Sequence, residues 1–193
     1  DSGVFDPGHI AVSNICADLA LPRLSNEDFE IDLKRLSFRE RSGIYVDRLS
    51  FQASVTPESI TLNNFKLDLE SASVRINDQK LVIKGFKDIV PALRQTEHDI
   101  RLTVSDMSAS DVAFLSPGIS SIHGKYNLQA EISGTLDDVD IREFNLAEES
   151  GLLNVSFQGN LQGLPDVRSL QGKVGKLHLD CDGGIGREII SAF

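Results

Sequence analysis

Tryptophan is absent from the 193 residues, and tyrosine occurs only twice, at Tyr45 and Tyr126. A platform that stacks sugars or bases needs flat aromatic faces, so both uses are disfavoured. Excess positive charge is also missing. Lysine and arginine number 19 against 29 acidic residues, a formal net charge of −10. The basic residues Lys34, Arg35, Arg39, Arg41, Lys84 and Lys87 are scattered and form no block. Such a chain repels phosphate backbones, which argues against nucleic acid as a partner. The two cysteines, Cys16 and Cys181, form no Cys-x-x-Cys pair and read as isolated half-buried thiols. A disulfide between them requires the two ends of the chain to meet. No stretch approaches the roughly 20 apolar residues that span a bilayer. No basic segment followed by an apolar run opens the chain. It begins Asp1-Ser2-Gly3 and stops on Ile189-Ile190-Ser191-Ala192-Phe193. Both ends read as cuts in a longer protein, whose missing flanks would hold any targeting signal.

Catalytic and metal-binding patterns are lacking too. His9, His98, His123 and His178 never stand four residues apart, and no His-Glu-x-x-His occurs. His98-Asp99 has no Gly-x-Ser-x-Gly nucleophile turn to accompany it. A calcium loop starting at Asp180 fails, because its fifth, sixth and twelfth positions are Gly184, Ile185 and Ser191. Asp137-Asp138-x-Asp140 reads as a solvated turn. Gly183-Gly184-Ile185-Gly186 does not sit in a strand–turn–helix unit that would bind a dinucleotide. The expectation is a protein with no catalytic residues, no metal site and no cofactor, and not an enzyme.

What is present is period-two alternation. Apolar residues alternate with polar ones at Phe29, Ile31, Leu33; Phe51, Ala53, Val55; Phe65, Leu67, Leu69; Ile100, Leu102, Val104; Leu128, Ala130, Ile132; and Val155, Phe157, Gly159. That spacing makes strands with one buried and one wet face. Turn residues separate the runs at Ser42-Gly43, Asn77-Asp78, Pro117-Gly118, Asp137-Asp138 and Pro165-Asp166. Short helical signals cover residues 88–93, 108–115 and 186–193.

The alternation slips repeatedly. An apolar pattern of steps two, three and two occurs at Ile31, Leu33, Leu36, Phe38; at Ile44, Val46, Leu49, Phe51; at Ile60, Leu62, Phe65, Leu67; and at Val139, Ile141, Phe144, Leu146. Val174, Leu177 and Leu179 form a partial copy. A step of three turns the second half of a regular strand onto the other face. An extra residue at that step, as a bulge, restores the face and bends the strand. A stack of such strands predicts a curved trough. Two copies match more deeply: DLKRLSFRERSGI (32–44) aligns without gaps to DIREFNLAEESGL (140–152), 108 residues on. Self-similarity of this length points to stacked repeats. One repeat-built fragment over 1–193 is expected, with sub-modules at 1–105 and 106–193.

The segments 36–69 and 132–185 resemble the AsmA-like superfamily, and within it the TamB-type (translocation and assembly module) proteins of Bacteroidetes-type bacteria. The Arg-Ser-Gly turn at 41–43, the GNLQGLPD phrase at 159–166 and the SASDVAFLSPGI stretch at 108–119 are similar to that family. The first 28 residues carry no resemblance. The resemblance implies a mainly β, elongated, U-shaped, taco-like antiparallel sheet with an apolar inner face and a few short helices. It implies the periplasmic portion of an envelope protein held in the inner membrane by an N-terminal anchor that is missing here. The implied work is phospholipid transport to the outer membrane and support of outer-membrane biogenesis, with an outer-membrane β-barrel partner engaged through the full-length protein.

An apolar stripe alone reads as packed core. With the slip pattern and the resemblance it reads as a groove for phospholipid acyl chains, lined by Leu33, Leu36, Phe38, Val46, Leu49, Phe51, Leu62, Phe65, Leu67, Ile141, Phe144 and Leu146. The alternative is a structural or protein-interaction module of the envelope, with a closed core and an edge strand that pairs with client strands.

Overall fold

The structure, a computed structural model, describes residues 11–25, 28–41, 43–85, 87, 89–113, 122–164 and 170–184. Eleven strands form one antiparallel sheet. They are β1 (Val12–Leu24), β2 (Phe29–Glu40), β3 (Tyr45–Val55), β4 (Ser59–Asp68), β5 (Ser73–Ile76), β6 (Gln79–Val82), β7 (His98–Ser108), β8 (Lys125–Gly134), β9 (Asp138–Glu148), β10 (Leu153–Gln162) and β11 (Gln171–Cys181). Helices α1 (Ile89–Gln95) and α2 (Ala109–Val112) are short. The strand order is β1-β2-β3-β4-β5-β7-β8-β9-β10-β11, with β6 beside β4. Each strand therefore pairs mainly with its neighbour in sequence, as tight turns between alternating runs require. The expected mainly β, antiparallel sheet with few helices is the fold.

The ladder breaks register at the places where the apolar spacing slips. Leu33↔Phe51 is followed by Leu36↔Leu49, then by Phe38↔Val46. The extra residue falls first on β2, between Leu33 and Leu36, and then on β3, between Val46 and Leu49. On β4, Asn64 and Phe65 together oppose Phe51, since Ser50 pairs with Lys66 and Gln52 with Asn63. On β9 the shift lies between Ile141 and Phe144, against both neighbouring strands. On β11 it falls between Val174 and Leu177. Three further shifts bear no such marker in the alternating runs. One is at Val104/Met107 of β7, and the others at Ser13/Cys16 and Ala20/Arg23 of β1.

Three of these breaks use a non-glycine residue in the left-handed region: Asn14, Asn64 and Asp106, with φ near 55–58°. Asn and Asp tolerate that conformation best among side-chain-bearing residues. A bulge leaves a backbone N–H without a ladder partner, and nearby side chains accept it. The Asn64 N–H donates to Asp78 Oδ1 at 2.9 Å, and the Asp106 N–H donates to Asn127 Oδ1 at 3.2 Å. Asn77-Asp78 thus does more than turn the chain. It joins β5 and β6, which lie end to end along β4.

The two 13-residue segments that match 108 residues apart share local hydrogen bonds. The Gly43 N–H donates to the Glu40 carbonyl and the Gly151 N–H to the Glu148 carbonyl, both at 3.0 Å. Both glycines have positive φ. The Arg41 N–H donates to the carbonyl of Ala11, just before β1, and its counterpart Glu149 N–H to that of Lys125 at the start of β8. Glu40 and Glu148 are both 6% exposed. The Glu148 carboxylate accepts from the Ser150 hydroxyl, the Ser150 N–H and the Leu152 N–H. The Ser150 hydroxyl is the main cause holding Glu148 below the ordinary glutamate value of 4.5; burial opposes it, and the two N–H donors add to it. A group so depressed adds stability above its unfolded pKa, which is lost as pH falls through the folded value. Glu148→Gln is therefore expected to flatten the loss of unfolding stability on acidification below about pH 4.5. Denaturant titrations at stepped pH measure that slope.

The chain's short helices seal places where backbone leaves the sheet. The buried Asp111 carboxylate in α2 accepts from the Ser108 N–H and from the Ser71 N–H, 40 residues away. Helix α1 lies against β6. The proposed boundary at 105/106 falls within β7, beside the Asp106 bulge. The turns at Pro117-Gly118 and Pro165-Asp166, Ser42, the end of the 108–115 helix and the 186–193 helix lie outside the described residues.

Candidate functional site

In-register partners on adjacent strands project to the same face of a sheet. Followed from strand to strand, one such line contains only apolar residues. It runs Ala17, Leu36, Leu49, Leu67, Val74, Val104, Leu128, Leu146, Val155, Leu179. Ten strands contribute one residue each. Nine steps of about 4.8 Å make the line roughly 43 Å long. A second line runs parallel to it: Ile76, Leu102, Ala130, Phe144, Phe157, Leu177. On the β1 side, Leu19, Leu33 and Phe51 occupy the corresponding level.

The residues one step along are polar and lie on the opposite face. They read Ser50, Lys66, Arg75, Thr103, Gln129, Asn145, Ser156, His178. Lys66 Nζ sits 2.9 Å from Asp68 Oδ2, and Arg101 Nε 3.8 Å from Glu131 Oε1. Burial pushes the Asp68 carboxyl up, but Lys66 and the Ser73 hydroxyl outweigh it and hold the group below the ordinary range. At the level of these two lines, the charged side chains stand on the polar side.

Of the twelve sequence-predicted groove residues, Leu33 and Val46 are buried, and the other ten are half-buried. Leu36, Leu49, Leu67 and Leu146 stand in the ten-strand line. Leu33, Phe51 and Phe144 stand at the second level, and Phe65 occupies the β4 bulge facing Phe51. Phe38 pairs with Val46, Leu62 with Ala53, and Ile141 with Ile132. They form no single cluster, because five strands separate β2 from β9. Val74, Val104 and Leu128, which connect the two groups, and Val155, which extends the line past β9, belong to strands without the slip in their alternating run. Plain alternation was the signal that could have included them.

No described side chain is below 2% exposed. Sheets packed face to face fill a core about 10 Å thick with interdigitating side chains, which reach that level. Among the described residues, the one cluster built on buried apolar residues is small. Tyr126 and Leu153 are packed against Met107, Ile122, Leu146, Val155 and Cys181 at one end of β7 to β11, with the Tyr126 hydroxyl donating to the His123 carbonyl at 2.8 Å.

Gly159 shapes the same face. A Cβ there would lie 2.5 Å from the Lys173 carbonyl oxygen and 2.6 Å from Cζ of Phe157. The missing side chain lets β10 and β11 close up and lets the Phe157 ring lie over the backbone. A recess of about 450 Å³ opens beside it, lined by Ile141, Arg142, Gln158 and Lys173 among others.

Both cysteines are free. Cys181 is half-buried, as its spacing suggests, while Cys16 is exposed on β1. They lie on the first and last strands of the order. Among the described residues no group of three His, Cys, Asp or Glu could hold a metal ion, and no helix is long and apolar enough to cross a membrane. Comparison with family models, with curated proteins and with solved structures returns no match.

Proposed function

We propose that the sheet's apolar lines are a surface for phospholipid acyl chains, in a segment of a periplasm-spanning, inner-membrane-anchored protein of the AsmA/TamB kind. The sheet in this reading is curved, repeat-built and taco-like, with the apolar lines inside. The observation that carries the reading is the unbroken ten-strand line from Ala17 to Leu179. It keeps one chemistry over a distance greater than a single acyl chain needs. Its members are half-buried at most on the middle strands, and Leu177 and Leu179 are 62% and 61% exposed. An acyl chain laid along it removes apolar area from water at about 25 cal/mol per Å². No headgroup contact is required, so cargo can move without a chemical step. In the full-length protein, an outer-membrane β-barrel is the partner in this reading.

Photo-reactive residues at Leu36, Phe65 and Phe144 test it. Each is expected to capture phospholipid when the membrane-competent full-length protein is illuminated. The same probe at Gln129, on the polar face, is expected to capture none. Failure at all three apolar positions sinks the reading.

A further inference from the structure

We propose that helix α1 is a strap. Latched to the β8–β9 turn it covers the apolar face beside β6, and released it opens that face between β6 and β7. The strap stands apart from the acyl-chain reading; that an acyl chain is what it admits rests on that reading.

The strap sits where the sheet forks, in the middle of the strand order. β4 pairs with both β5 and β6, but only β5 goes on to pair with β7. The first residues of β7, from His98 to Ile100, have no strand but β8 beside them among the described residues. The parting is built in, because side chains take the β7 backbone groups that a strand would use. The Asn77 and Gln79 amides donate to the Asp99 carbonyl at 3.0 and 3.1 Å, and the Arg101 N–H donates to Asn77 Oδ1 at 2.7 Å.

Both banks of the fork are apolar on one face. Leu81 pairs with Ile60, and Ile60 with Val55, two steps from Ala53 and four from Phe51. Ile100 stands two steps from Leu102 and pairs with Ile132. Residues two apart on a strand share a face, so both sets continue the apolar side. Leu81 and Ile83 are only 7% and 4% exposed, although no strand lies on the outer side of β6 among the described residues. Helix α1, which lies against β6, is their cover.

The cover is held lightly. Its far end reaches the β8–β9 turn, where Arg94 Nε and Nη2 donate to Asp137 Oδ1 at 3.3 and 3.0 Å. His98 Nε2 lies 3.1 Å from the Leu93 carbonyl oxygen. The Arg94 and Asp137 side chains are 50% and 53% exposed, and an ion pair so placed contributes little. No described side chain of α1 is buried, and seven residues make no stable helix alone. Few buried apolar contacts and exposed hydrogen bonds mark a segment that opens locally. The catch is firmer than the strap. Thr135 and Asp138 exchange backbone hydrogen bonds at 3.0 and 3.2 Å, and the Gly163 N–H donates to the Asp137 carbonyl at 3.1 Å.

The test labels thiols with a maleimide, without lipid, in a background where Cys16→Ser and Cys181→Ser remove the native ones. Ile83→Cys reads the cover. Val46→Cys, at a site 5% exposed near the other end of the β3–β4 pair, reads global opening. Asp137→Ala is expected to speed labelling of Ile83→Cys about two- to five-fold, the shift that loss of one exposed ion pair gives, and to leave Val46→Cys unchanged. Exchanging the charges, Arg94→Asp with Asp137→Arg, is expected to restore the slow rate. Should the Ile83→Cys chain not fold, hydrogen exchange decides. The Thr96 N–H, which donates to the Ala92 carbonyl, is expected to exchange faster in Asp137→Ala while the β7 and β8 amides hold their rates. Unchanged labelling and exchange overturn the strap, and so does an equal rise at Val46→Cys. In the membrane-competent full-length protein, a photo-reactive residue at Ile100 is expected to capture more phospholipid with Asp137→Ala than with the charges exchanged. Equal capture, while Leu36 still captures lipid, overturns the admission of acyl chains at the fork. If Leu36, Phe65 and Phe144 all capture none, the acyl-chain reading fails and labelling alone decides the strap.

Discussion

Gly159→Val is expected to lower unfolding stability sharply, by about 1–3 kcal/mol or more on the scale of overpacked interiors. The first obstacle is backbone. A Cβ would lie 2.5 Å from the Lys173 carbonyl oxygen, and that atom belongs to the neighbouring strand's ladder. The second is Phe157, whose ring already fills the space beside the glycine at 2.6 Å. The ring can turn away, but the carbonyl can retreat only if β10 and β11 separate. Gly159→Ala meets the same carbonyl, and its cost should approach that of valine. Gly183→Ala is the control, because a Cβ there meets nothing within 4 Å. Denaturant midpoints for the three variants check the order. Equal midpoints for Gly159→Ala and Gly183→Ala would mean that β11 is not held at this distance.

Leu33→Asp is expected to be the most damaging single substitution among the groove residues, costing more than about 4 kcal/mol, the range reserved for buried unpaired charge. Leu33 is 7% exposed and stands between Leu19 and Phe51 at the level where β2 breaks register. No basic residue shares its face among those partners. Natural domains hold only about 5–15 kcal/mol in reserve, so the variant should show a large loss of cooperative unfolding by circular dichroism. Lys34→Asp, one residue on, is exposed at the register break and should change stability by no more than about 0.5 kcal/mol. The contrast across one residue tests the burial of Leu33 directly.

The sequence pattern carried most of the sheet. Alternation located β2, β3, β4, β7, β8 and β10, because each needs one face out of water. The steps of three located the register breaks on β2, β3, β4, β9 and β11, since a bulge is the way to keep an apolar set on one face. The β7 break escaped notice although Val104 and Met107 also stand three apart. The plain alternation from Ile100 ends at Val104, so Met107 falls outside the run. β1 was illegible for a different reason. Almost every residue from Val12 to Leu24 is exposed, so burial exerts little selection on its pattern. β5 and β6 were hidden by Asn77-Asp78, two turn-forming residues that here join strands lying end to end and serve the Asn64 bulge. The candidate site was legible as two separate groups, on β2 to β4 and on β9. Only the ladder register joined them, because pairing partners are set by contacts far apart in the chain.

The register breaks also govern how this chain can change length. Within a strand, losing one residue exchanges the two faces for everything beyond it. At a break, the extra residue is already unpaired, so its loss straightens the strand and leaves the apolar residues beyond it on the same face. Within a regular run, insertions and deletions in pairs preserve facing, and single ones do not; at a break a single deletion preserves it. Deleting Arg142 should therefore disturb less than deleting Arg142 and Glu143 together, which would set Ile141 and Phe144 side by side on opposite faces. Divergent relatives of this chain should differ in turn length freely, in regular strand length by even steps, and by single residues at the breaks.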